Sequence, residues 1–552
     1  MKIHQRYKRF IPKVVGITAA VIVAFGAILL QIPSTKAASL HKKYQFIDTN
    51  YSVPSSNVAW VAPNGNDTTG NGSENSPYKT FGKAVTAVPS GGTVVAKSGI
   101  YREPHFFVSK NNITLQAAPH AEVWLKGSDI VTNWTGDNGV WKTTGNYHNF
   151  CHVCTTNSDP GKEGVAAYPE QVFINDEPMQ QVATKAEVTP GSNTFYVEDK
   201  TPTTLKVPGG NSKGYNIGAQ DNITYYIGKN PAASQVEISE RTRAFTATGQ
   251  NFTARGINVA QYASVQAWGF ADPVYGKDIS GPTAVSLNGN NSLAQNMIIT
   301  QNSNQGLFFN QAKASANGVK VIDNGGSGAG ANKAHDSVFE NSELHGNNAA
   351  GFITSGCGAY CTMADIKVAH TKNFIFRNNI LDNSSSGKVQ SAPTNADNVG
   401  TINFWCDEGC IDTKIVNNFF TNSSLAIMYE VSGSAVIASN IIESSGTGIR
   451  VSGSENVKLY NNTISRTYRP VYLFEDQRMN GCNAWNAAGV CTATENWSAS
   501  QGLSWNTSGV EMYNNIISSR PLADSNDLTG EAYQRAYSLR VEGEKNEPKG
   551  PY

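Results

Sequence analysis

The chain has 552 residues, with 43 basic and 43 acidic side chains, and only 16% of its residues are charged. This length exceeds what one compact core usually holds, unless the fold grows lengthwise as a solenoid does. Low charge, 51 glycines and frequent Asn, Ser and Thr favour many short strands and tight turns over a helical bundle. Residues 38–552 carry a net charge of −6, which argues against a nucleic-acid partner.

Residues 1–37 have the pattern of an export signal. Five basic residues precede an apolar run at 14–32, and the small residues Ala37 and Ala38 follow it. Charge, then an apolar core, then small residues is the order found in secretory signal peptides. The run is long enough to cross a bilayer, so an uncleaved membrane anchor is the alternative. Either interpretation predicts that the rest of the chain is secreted or extracellular.

Eight cysteines form four close pairs in the part of the chain predicted to be exported. The pairs are Cys151/Cys154, Cys357/Cys361, Cys406/Cys410 and Cys482/Cys491. An even number in close pairs outside the cytoplasm predicts local disulfides. The first pair has His148 and His152 beside it, so a metal site is the alternative there.

After a predicted linker at residues 38–57, the segment 58–168 is expected to cap and begin a solenoid. It contains "WVAPNGND", "PYKTFGKAV" and "GGTVVAKSGIYRE", with an amphipathic helix predicted over Thr80–Val88. Such a helix would cover the open edge of the first coil, which otherwise invites aggregation. This text resembles the start of right-handed parallel β-helix proteins of the pectate-lyase-like superfamily, and the resemblance implies that fold.

An internal repeat in the second half of the chain predicts the same fold independently. The repeated text is "FRNNILDN", "IVNNFFTN", "IASNIIES", "LYNNTISR" and "MYNNIISS", and its aligned asparagines are Asn379, Asn418, Asn440, Asn462 and Asn515. Two successive intervals are 22 residues, the length of one coil. We expect these amides to stack at one turn in a structural role. The predicted fold class is all-β, a right-handed parallel β-helix.

Segments that depart from the repeat mark the boundaries of the remaining predicted domains. The strands and turns of residues 169–247 predict an antiparallel β-sandwich inserted between coils. The main β-helix, residues 248–521, contains insertions of about 17 residues after Asn379 and about 31 after Asn462. Long loops on a regular scaffold are where function tends to lie. Residues 522–552 lack periodicity and are expected to form a tail.

Two acidic residues occupy equivalent positions on neighbouring coils. Asp407 in "FWCDEG" lies 11 residues before Asn418, and Glu430 in "IMYEVSG" lies 10 before Asn440. Strand alternation then places both side chains on one outer face. Because adjacent strands are about 4.8 Å apart, we expect the two carboxyl groups about 5 Å apart. That separation is typical of retaining glycosidases and too short for inverting ones.

Lys367 on the preceding coil is expected to point outward beside Asp407. Two close carboxylates cannot both ionise cheaply, so one should keep its proton near neutral pH. A cation at Lys367 would hold Asp407 ionised and leave the proton on Glu430. Asp407 is therefore the candidate nucleophile, Glu430 the candidate acid/base and Lys367 the residue that tunes them. The rival interpretation is ordinary surface charge, although like charges stacked on neighbouring strands destabilise unless used or compensated.

Further residues near this pair are candidates for substrate binding. They are Trp405, Tyr429, Arg450, Tyr472, Glu475 and Trp485. The aromatic members offer flat apolar faces suited to sugar rings. For Tyr429 this holds only if strand alternation breaks at the turn, since alternation otherwise points the ring inward.

The text "FWCDEG", followed one coil later by "MYEVSG", resembles the catalytic region of glycoside hydrolase family 120. These are β-xylosidases built on a β-helix with an added β-sandwich. In that family an Asp after a Trp is the nucleophile and a Glu one coil later is the acid/base, so the resemblance implies these roles for Asp407 and Glu430. The Cys406/Cys410 bracket departs from the family pattern, and we expect it to cinch the turn after Asp407.

Two other functions fit the same residues. A polysaccharide lyase would abstract a proton with a basic residue, Lys367 or Arg450. Its Ca²⁺ would be bound by the acidic residues Asp407, Glu408 and Glu430 and would neutralise a uronate carboxylate. A surface carbohydrate-binding or adhesion protein would keep its binding when these acids are neutralised. The glycosidase hypothesis needs no cofactor or metal, and its expected partner is a polysaccharide or oligosaccharide, with membrane contact only through the N-terminal segment.

Overall fold

A computed structural model describes much of the chain from residue 38 onward. The described residues are 38–148, 150, 168–198, 220–264, 283–350, 363–383, 402–475, 478–519 and 539–543. Within these ranges, no helix has the length and apolar character needed to cross a membrane.

Three of the sequence predictions concern segments outside the described residues. The first is the export signal or membrane anchor at residues 1–37. The other two are the disulfides Cys151–Cys154 and Cys357–Cys361, together with the alternative metal site that would use His152 beside the first pair. All four of these cysteines lie outside the described ranges, so both pairings stay predictions.

Three parallel sheets, named A, B and C in the order in which the chain visits them, form most of the described structure. The strands of sheet A are Val58–Val61, Thr93–Ala96, Thr114–Ala117, Thr253–Arg255, Leu293–Gln295, Ser315–Asn317, Val338–Glu340, Ile375–Arg377, Thr413–Val416, Ala435–Ala438, Val457–Tyr460 and Glu511–Tyr513. Those of sheet B are Gly99–Tyr101, Val123–Lys126, Ile257–Ala260, Ile298–Thr300, Lys320–Ile322, Glu343–His345, Ile380–Asp382, Phe419–Thr421, Ile441–Glu443, Thr463–Thr467 and Ile516–Ser519. Those of sheet C are Phe106–Val108, Phe245–Ala247, Thr283–Leu287, Gln305–Phe309, Ala329–Asn332, Ala364–Lys372, Ile402–Ile411, Leu425–Glu430, Thr447–Ser452, Arg469–Glu475 and Leu539–Gly543. Each strand pairs with the strand one coil away, which defines a parallel β-helix.

Inward side chains form continuous columns because the coils stack in register. One column in sheet C consists of Ile366, Phe404, Ile427, Ile449 and Val471, all at most 1% exposed. Burying an aliphatic or aromatic side chain of this size stabilises the fold by about 1.5–3 kcal/mol. The columns therefore fix the register of sheet C, and the register decides which outward side chains become neighbours.

The asparagine ladder predicted from the repeat is present at the turn between sheets A and B. The side-chain amide of Asn418 donates to Asn440 Oδ1 at 3.0 Å, and that of Asn440 donates to Asn462 Oδ1 at 3.0 Å. The residue before each ladder position has a positive φ, 57° at Asn417 and 54° at Asn461. Asparagine tolerates this left-handed backbone better than most residues. The doubled "NN" is thus a turn residue followed by a stacking residue.

The predicted N-terminal helix is confirmed and spans Phe81–Ala87. The Thr80 side chain accepts a hydrogen bond from the Lys83 N–H, which caps the helix. Glu103 accepts from the first two helical N–H groups at 3.0 and 3.1 Å, and burial raises its pKa to about 7. The apolar face of the helix belongs to the main core.

Two segments predicted to be irregular contain ordered structure. In the predicted linker, a helix spans Ala38–Tyr44, and its Leu40 and Tyr44 pack against Trp124 of sheet B. In the predicted tail, Leu539–Gly543 pairs in parallel with the preceding strand of sheet C. Both pieces are too short for hydrophobic periodicity to be recognised, and packing on the β-helix stabilises them.

The inserted domain consists of two facing sheets. One contains Glu177–Pro178, Val172–Ile174, Val236–Ser239 and Ser128–Val131, and the other Gln180–Gln181, Thr194–Glu198, Gln220–Ile227, Val140–His148 and Thr135–Asp137. A short 3-10 helix spans Lys185–Glu187. Apolar side chains of both sheets share one core. The sandwich therefore begins near residue 128, earlier than the predicted 169, because strands from the N-terminal coils pair with it.

Candidate active site

Asp407 and Glu430 lie side by side on the outer face of sheet C. The register between their strands runs as far as Cys406 opposite Tyr429, and Asp407 and Glu430 are the residues that directly follow this pair. Both residues are buried, with exposures of 8% and 6%. Cys406 points into the core, and alternation places the next side chain on the outer side.

The Asp407 carboxylate is held by a cation on the preceding coil. Lys367 Nζ lies 2.8 Å from Asp407 Oδ2, while Asp407 Oδ1 is buried and has no hydrogen-bond partner among the described residues. Burial alone would raise the pKa of Asp407, but the positive charges of Lys367 and Arg478 outweigh it and hold the pKa below its usual value. A contribution from the Glu408 backbone N–H acts in the same direction, so the surroundings of Asp407 favour its ionised form.

Glu430 is held through both carboxylate oxygens. The indole N–H of Trp405 donates to Glu430 Oε2 at 3.0 Å, and Arg478 Nη2 lies 2.5 Å from Glu430 Oε1. Lys367 Nζ in turn lies 3.8 Å from the centre of the Trp405 ring. Two acids and two cations thus form one connected cluster, with Trp405 between Lys367 and Glu430.

Arg478 was not predicted as a site residue. The sequence does place it in the long insertion after Asn462, where function was expected. The insertion has no repeat against which its side chains can be aligned, so the contact with Glu430 is visible only in the folded structure.

The "DEG" text forms a β-bulge instead of a simple turn. The register against the preceding strand shifts between Asp407 and Cys410, and Glu408 and Gly409 have φ values of 50° and 99°. A bulge re-aims the neighbouring side chains and is common beside active sites. The predicted Cys406–Cys410 disulfide is present and spans the bulge. The Glu408 side chain is not part of the Asp407–Glu430 pair. Its carboxylate accepts a hydrogen bond from the Asn483 side-chain amide at 2.9 Å.

Residues 478–509, here called the covering loop, fold back on this bulge. The loop contains the strands Cys482–Trp485 and Cys491–Thr494, joined by the predicted Cys482–Cys491 disulfide, and the helix Asn496–Ser500. Glu495 caps the helix and lies 3.2 Å from the His370 ring. A side chain at position 409 would collide with Trp497, so glycine permits this close approach.

Two of the predicted aromatic residues do not present open faces on the outer side of sheet C. Tyr429 is fully buried in the core, and its hydroxyl donates to the carbonyls of Cys410 and Ser434. Alternation therefore holds at this residue, and its ring is not a sugar platform. Tyr472 is 2% exposed, with Arg450 close to its ring.

The other predicted binding residues lie on sheet C beyond Glu430 and in the covering loop. Arg450 is half-buried one coil beyond Met428, 4.8 Å from the Phe474 ring centre. Glu475 accepts a hydrogen bond from the Thr507 N–H and so fastens the covering loop. Trp485 lies in the loop hairpin, where its indole N–H is buried and meets no acceptor within the described ranges.

The described residues contain no group of three or more His, Cys, Asp or Glu side chains placed to hold a metal ion. A cavity of about 800 Å³ lies between the β-sandwich and the turns before sheet C, lined by Tyr44, Phe195 and Asp323 among others. Asp407 and Glu430 do not line it. The acid cluster and this cavity are therefore separate features.

Comparison with known proteins identifies the fold class. A family model described as a right handed beta helix region matches residues 400–521, which include both acids and the covering loop. No curated protein matches the chain in sequence. The right-handed parallel β-helix predicted from the sequence is confirmed.

Solved structures agree with this fold. XylC in complex with xylose superimposes with a TM-score of 0.58 at 14% identity, over 89% of this chain and 87% of that one. A glycoside hydrolase structure gives a TM-score of 0.44 at 12% identity, over 88% and 99% of the two chains. Pectate lyase Pel9A gives 0.35 at 12%, over 77% and 76%. At 14% identity the likeness to XylC concerns the fold alone, a parallel β-helix.

Proposed function

We propose that this protein is an exported carbohydrate-active enzyme, a retaining glycoside hydrolase with Asp407 as nucleophile and Glu430 as acid/base. One observation carries the proposal. Two buried carboxylates directly follow a register pair on adjacent coils, and one of them pairs with Lys367 while its other oxygen has no hydrogen-bond partner among the described residues. A buried, unpartnered carboxylate oxygen costs stability, and a nucleophile is a reason to keep it.

The reaction proceeds in two displacements. Asp407 Oδ1 attacks the anomeric carbon as the glycosidic C–O bond breaks, and Glu430 gives its proton to the departing oxygen. The resulting glycosyl ester on Asp407 is then attacked by water, which loses a proton to Glu430. Ester cleavage regenerates the Asp407 carboxylate and releases the sugar with its original anomeric configuration.

Lys367 has a defined part in this scheme. Its ammonium group keeps Asp407 ionised before attack and neutralises the carboxylate that leaves in the second displacement. The indole of Trp405 orients Glu430 through its N–H, so its part is positioning more than stacking on a sugar.

The substrate is proposed to be a β-xyloside or a related neutral sugar. Two observations support testing xylosides first: the text around Asp407 and Glu430 resembles that of family 120 β-xylosidases, and the fold resembles that of XylC, which was solved with xylose. Export through residues 1–37 would place the enzyme where polysaccharides are found.

The test is a screen of aryl glycosides and polysaccharides with wild type, Asp407→Asn and Glu430→Gln. We expect reducing sugar of retained configuration from wild type and strongly reduced turnover from both variants. Equal activity in wild type and Glu430→Gln would refute the assignment of Glu430 as the acid/base. A product absorbing near the ultraviolet edge, formed only from uronates and with added Ca²⁺, would instead identify a lyase. Binding without turnover, unchanged in both variants, would identify an adhesion protein.

A further inference from the structure

Arg478, at the start of the covering loop, reaches the proposed acid/base. Its guanidinium lies 2.5 Å from Glu430 Oε1, and its charge also contributes to the lowered pKa of Asp407. It is 23% exposed at the side chain, against 8% for Glu430. The arginine is therefore the more exposed partner of this ion pair.

The contact bears on the two protonation states that Glu430 must adopt. An ionised carboxylate accepts hydrogen bonds at both oxygens, as Glu430 does from Trp405 and Arg478. A protonated carboxyl group carries a hydrogen on one oxygen, and that oxygen is a weaker acceptor for a cationic donor. The contact with Arg478 thus favours the ionised form of Glu430, the form that acts as the base.

The geometry points to Arg478 as a positioning residue that favours the ionised form of Glu430 in the resting site and releases Oε1 when the carboxyl group takes up from solvent the proton that it gives in the acid step. This inference rests on the proposed function and assigns to the covering loop control over the acid/base. In the base step the guanidinium returns to Oε1 and orients the carboxylate toward the attacking water.

Among the described residues, other charged side chains on the neighbours of the Glu430 strand in sheet C include Asp407, Lys367, Arg450 and Glu475. Lys367 is paired with Asp407, and a Glu475 oxygen accepts from the Thr507 N–H. Arg450 is paired in register with Met428, two positions before Glu430 on that strand, and lies against aromatic rings.

The covering loop is anchored at several points beyond Arg478. Asn483 donates to Glu408, and Ser504 Oγ donates to Glu455 at 2.8 Å. Trp505 is fully buried and packs with Val431, the residue directly after Glu430. With the loop body anchored in this way, we expect release of Oε1 to come from a change in the Arg478 side chain while the loop stays in place.

The experiment compares wild type, Arg478→Met and Arg478→Lys by the pH dependence of kcat/KM on an aryl glycoside. Removing the cation makes Glu430 bind its proton at higher pH, and the acid step needs that proton. We therefore expect the alkaline limb of Arg478→Met to move to higher pH, with Arg478→Lys remaining close to wild type. On activated substrates, where deglycosylation limits kcat, the same variant should lose several-fold in kcat at low pH.

Arg377→Met is the matched control, because Arg377 pairs with Glu340 across neighbouring coils of sheet A. Its profile should coincide with that of wild type. An unchanged alkaline limb in Arg478→Met, or a Lys variant that behaves like Met, would overturn the inference.

A second readout needs no turnover. In protein with ¹³C-labelled glutamate carboxyl groups, the resonance lost in Glu430→Gln is titrated in wild type and in Arg478→Met. A midpoint that is higher in Arg478→Met supports the inference, and equal midpoints refute it. If Asp407→Asn and Glu430→Gln keep full activity, the proposed function fails. If Asp407→Asn and Glu430→Gln lose activity, but Arg478→Met changes neither the alkaline limb of kcat/KM nor the titration midpoint of Glu430, only the role of Arg478 fails.

Discussion

Two buried clusters of acidic and basic side chains in the described part of the chain differ in how completely their hydrogen-bonding groups are paired. At the junction of the β-helix and the β-sandwich, Glu237 is 1% exposed and accepts from Arg102 and Gln235 at Oε1 and from Ser128 and Lys126 at Oε2. On sheet C, Asp407 is also buried and paired with a lysine, but one of its oxygens has no hydrogen-bond partner in the part of the chain that the structure describes.

Electrostatics alone does not distinguish the clusters. The pKa of Glu237 and that of Asp407 are both held below their usual values by neighbouring cations, against the opposing effect of burial. The difference lies in hydrogen bonding. A fully satisfied network stabilises one structure, whereas an unengaged oxygen leaves binding capacity for another molecule. Mutations in the two clusters should therefore affect different properties.

The largest effect is expected from Asp407→Asn. Loss of the nucleophile should lower kcat by on the order of 10⁴-fold or more, because the amide cannot form the glycosyl ester. The measurement is aryl-glycoside turnover alongside the urea unfolding midpoint. Asp412→Asn, at an exposed position just after the same strand, is the control and should keep wild-type turnover. Comparable turnover in both variants would contradict the role of Asp407.

Glu430→Gln should lower kcat/KM by about 10²–10⁴-fold, the usual contribution of a general acid or base. The loss should be greatest with poor leaving groups, which need a proton, and should shrink with activated aryl leaving groups. Added azide should partly restore turnover of activated substrates by replacing the water that needs a base. Glu443→Gln on sheet B serves as the control. A loss independent of the leaving group would argue against an acid role.

Glu237→Gln tests the cluster at the junction of the β-helix and the β-sandwich. It should lower stability and leave turnover unchanged, the opposite of the result expected for Asp407→Asn. Breaking a buried ion network costs about 3–5 kcal/mol of unfolding free energy, while turnover per folded molecule should stay unchanged. Since the pKa of Glu237 is lowered on folding, its stabilisation is present above the ordinary glutamate pKa. It is lost as the pH falls through the lowered value. Urea unfolding at several pH values should therefore show a wild-type acid sensitivity that Glu237→Gln lacks.

Lys367→Met is expected to have the smallest effect at neutral pH. Without the ammonium group the pKa of Asp407 rises, so the acidic limb of kcat/KM should move to higher pH. The loss should be on the order of tenfold at the acidic end and smaller at pH 7. Lys367→Arg should largely preserve the profile, and Lys458→Met, on the exposed face of sheet A, should not alter it. An unmoved acidic limb would show that Lys367 does not tune Asp407.

Features set by the coil period could be predicted from the sequence. The Asn418–Asn440 spacing fixed the ladder, and counting back from it placed Asp407 beside Glu430 and Lys367 beside Asp407. Each of these inferences needed only a repeat length and strand alternation.

Features set by contacts between distant segments could not be predicted. Arg478 reaches Glu430 from an insertion with no repeat, and Trp405 uses its N–H on Glu430 where an open ring face was expected. The bulge at Glu408 depends on a single extra residue that alternation cannot reveal. The first sandwich strand, Ser128–Val131, was assigned to the coils because its partner lies more than 100 residues later.

The asparagine ladder has a consequence for folding order. Every rung is chemically the same, so a coil that stacked one place too far along would still complete its amide hydrogen bonds. The separations between successive rungs are 39 residues from Asn379 to Asn418, 22 from Asn418 to Asn440, 22 from Asn440 to Asn462 and 53 from Asn462 to Asn515. A coil docked on the wrong neighbour across an insertion would have to stretch or crowd the connecting segment. The two insertions therefore also distinguish the first and last of these steps from the two equal steps between them.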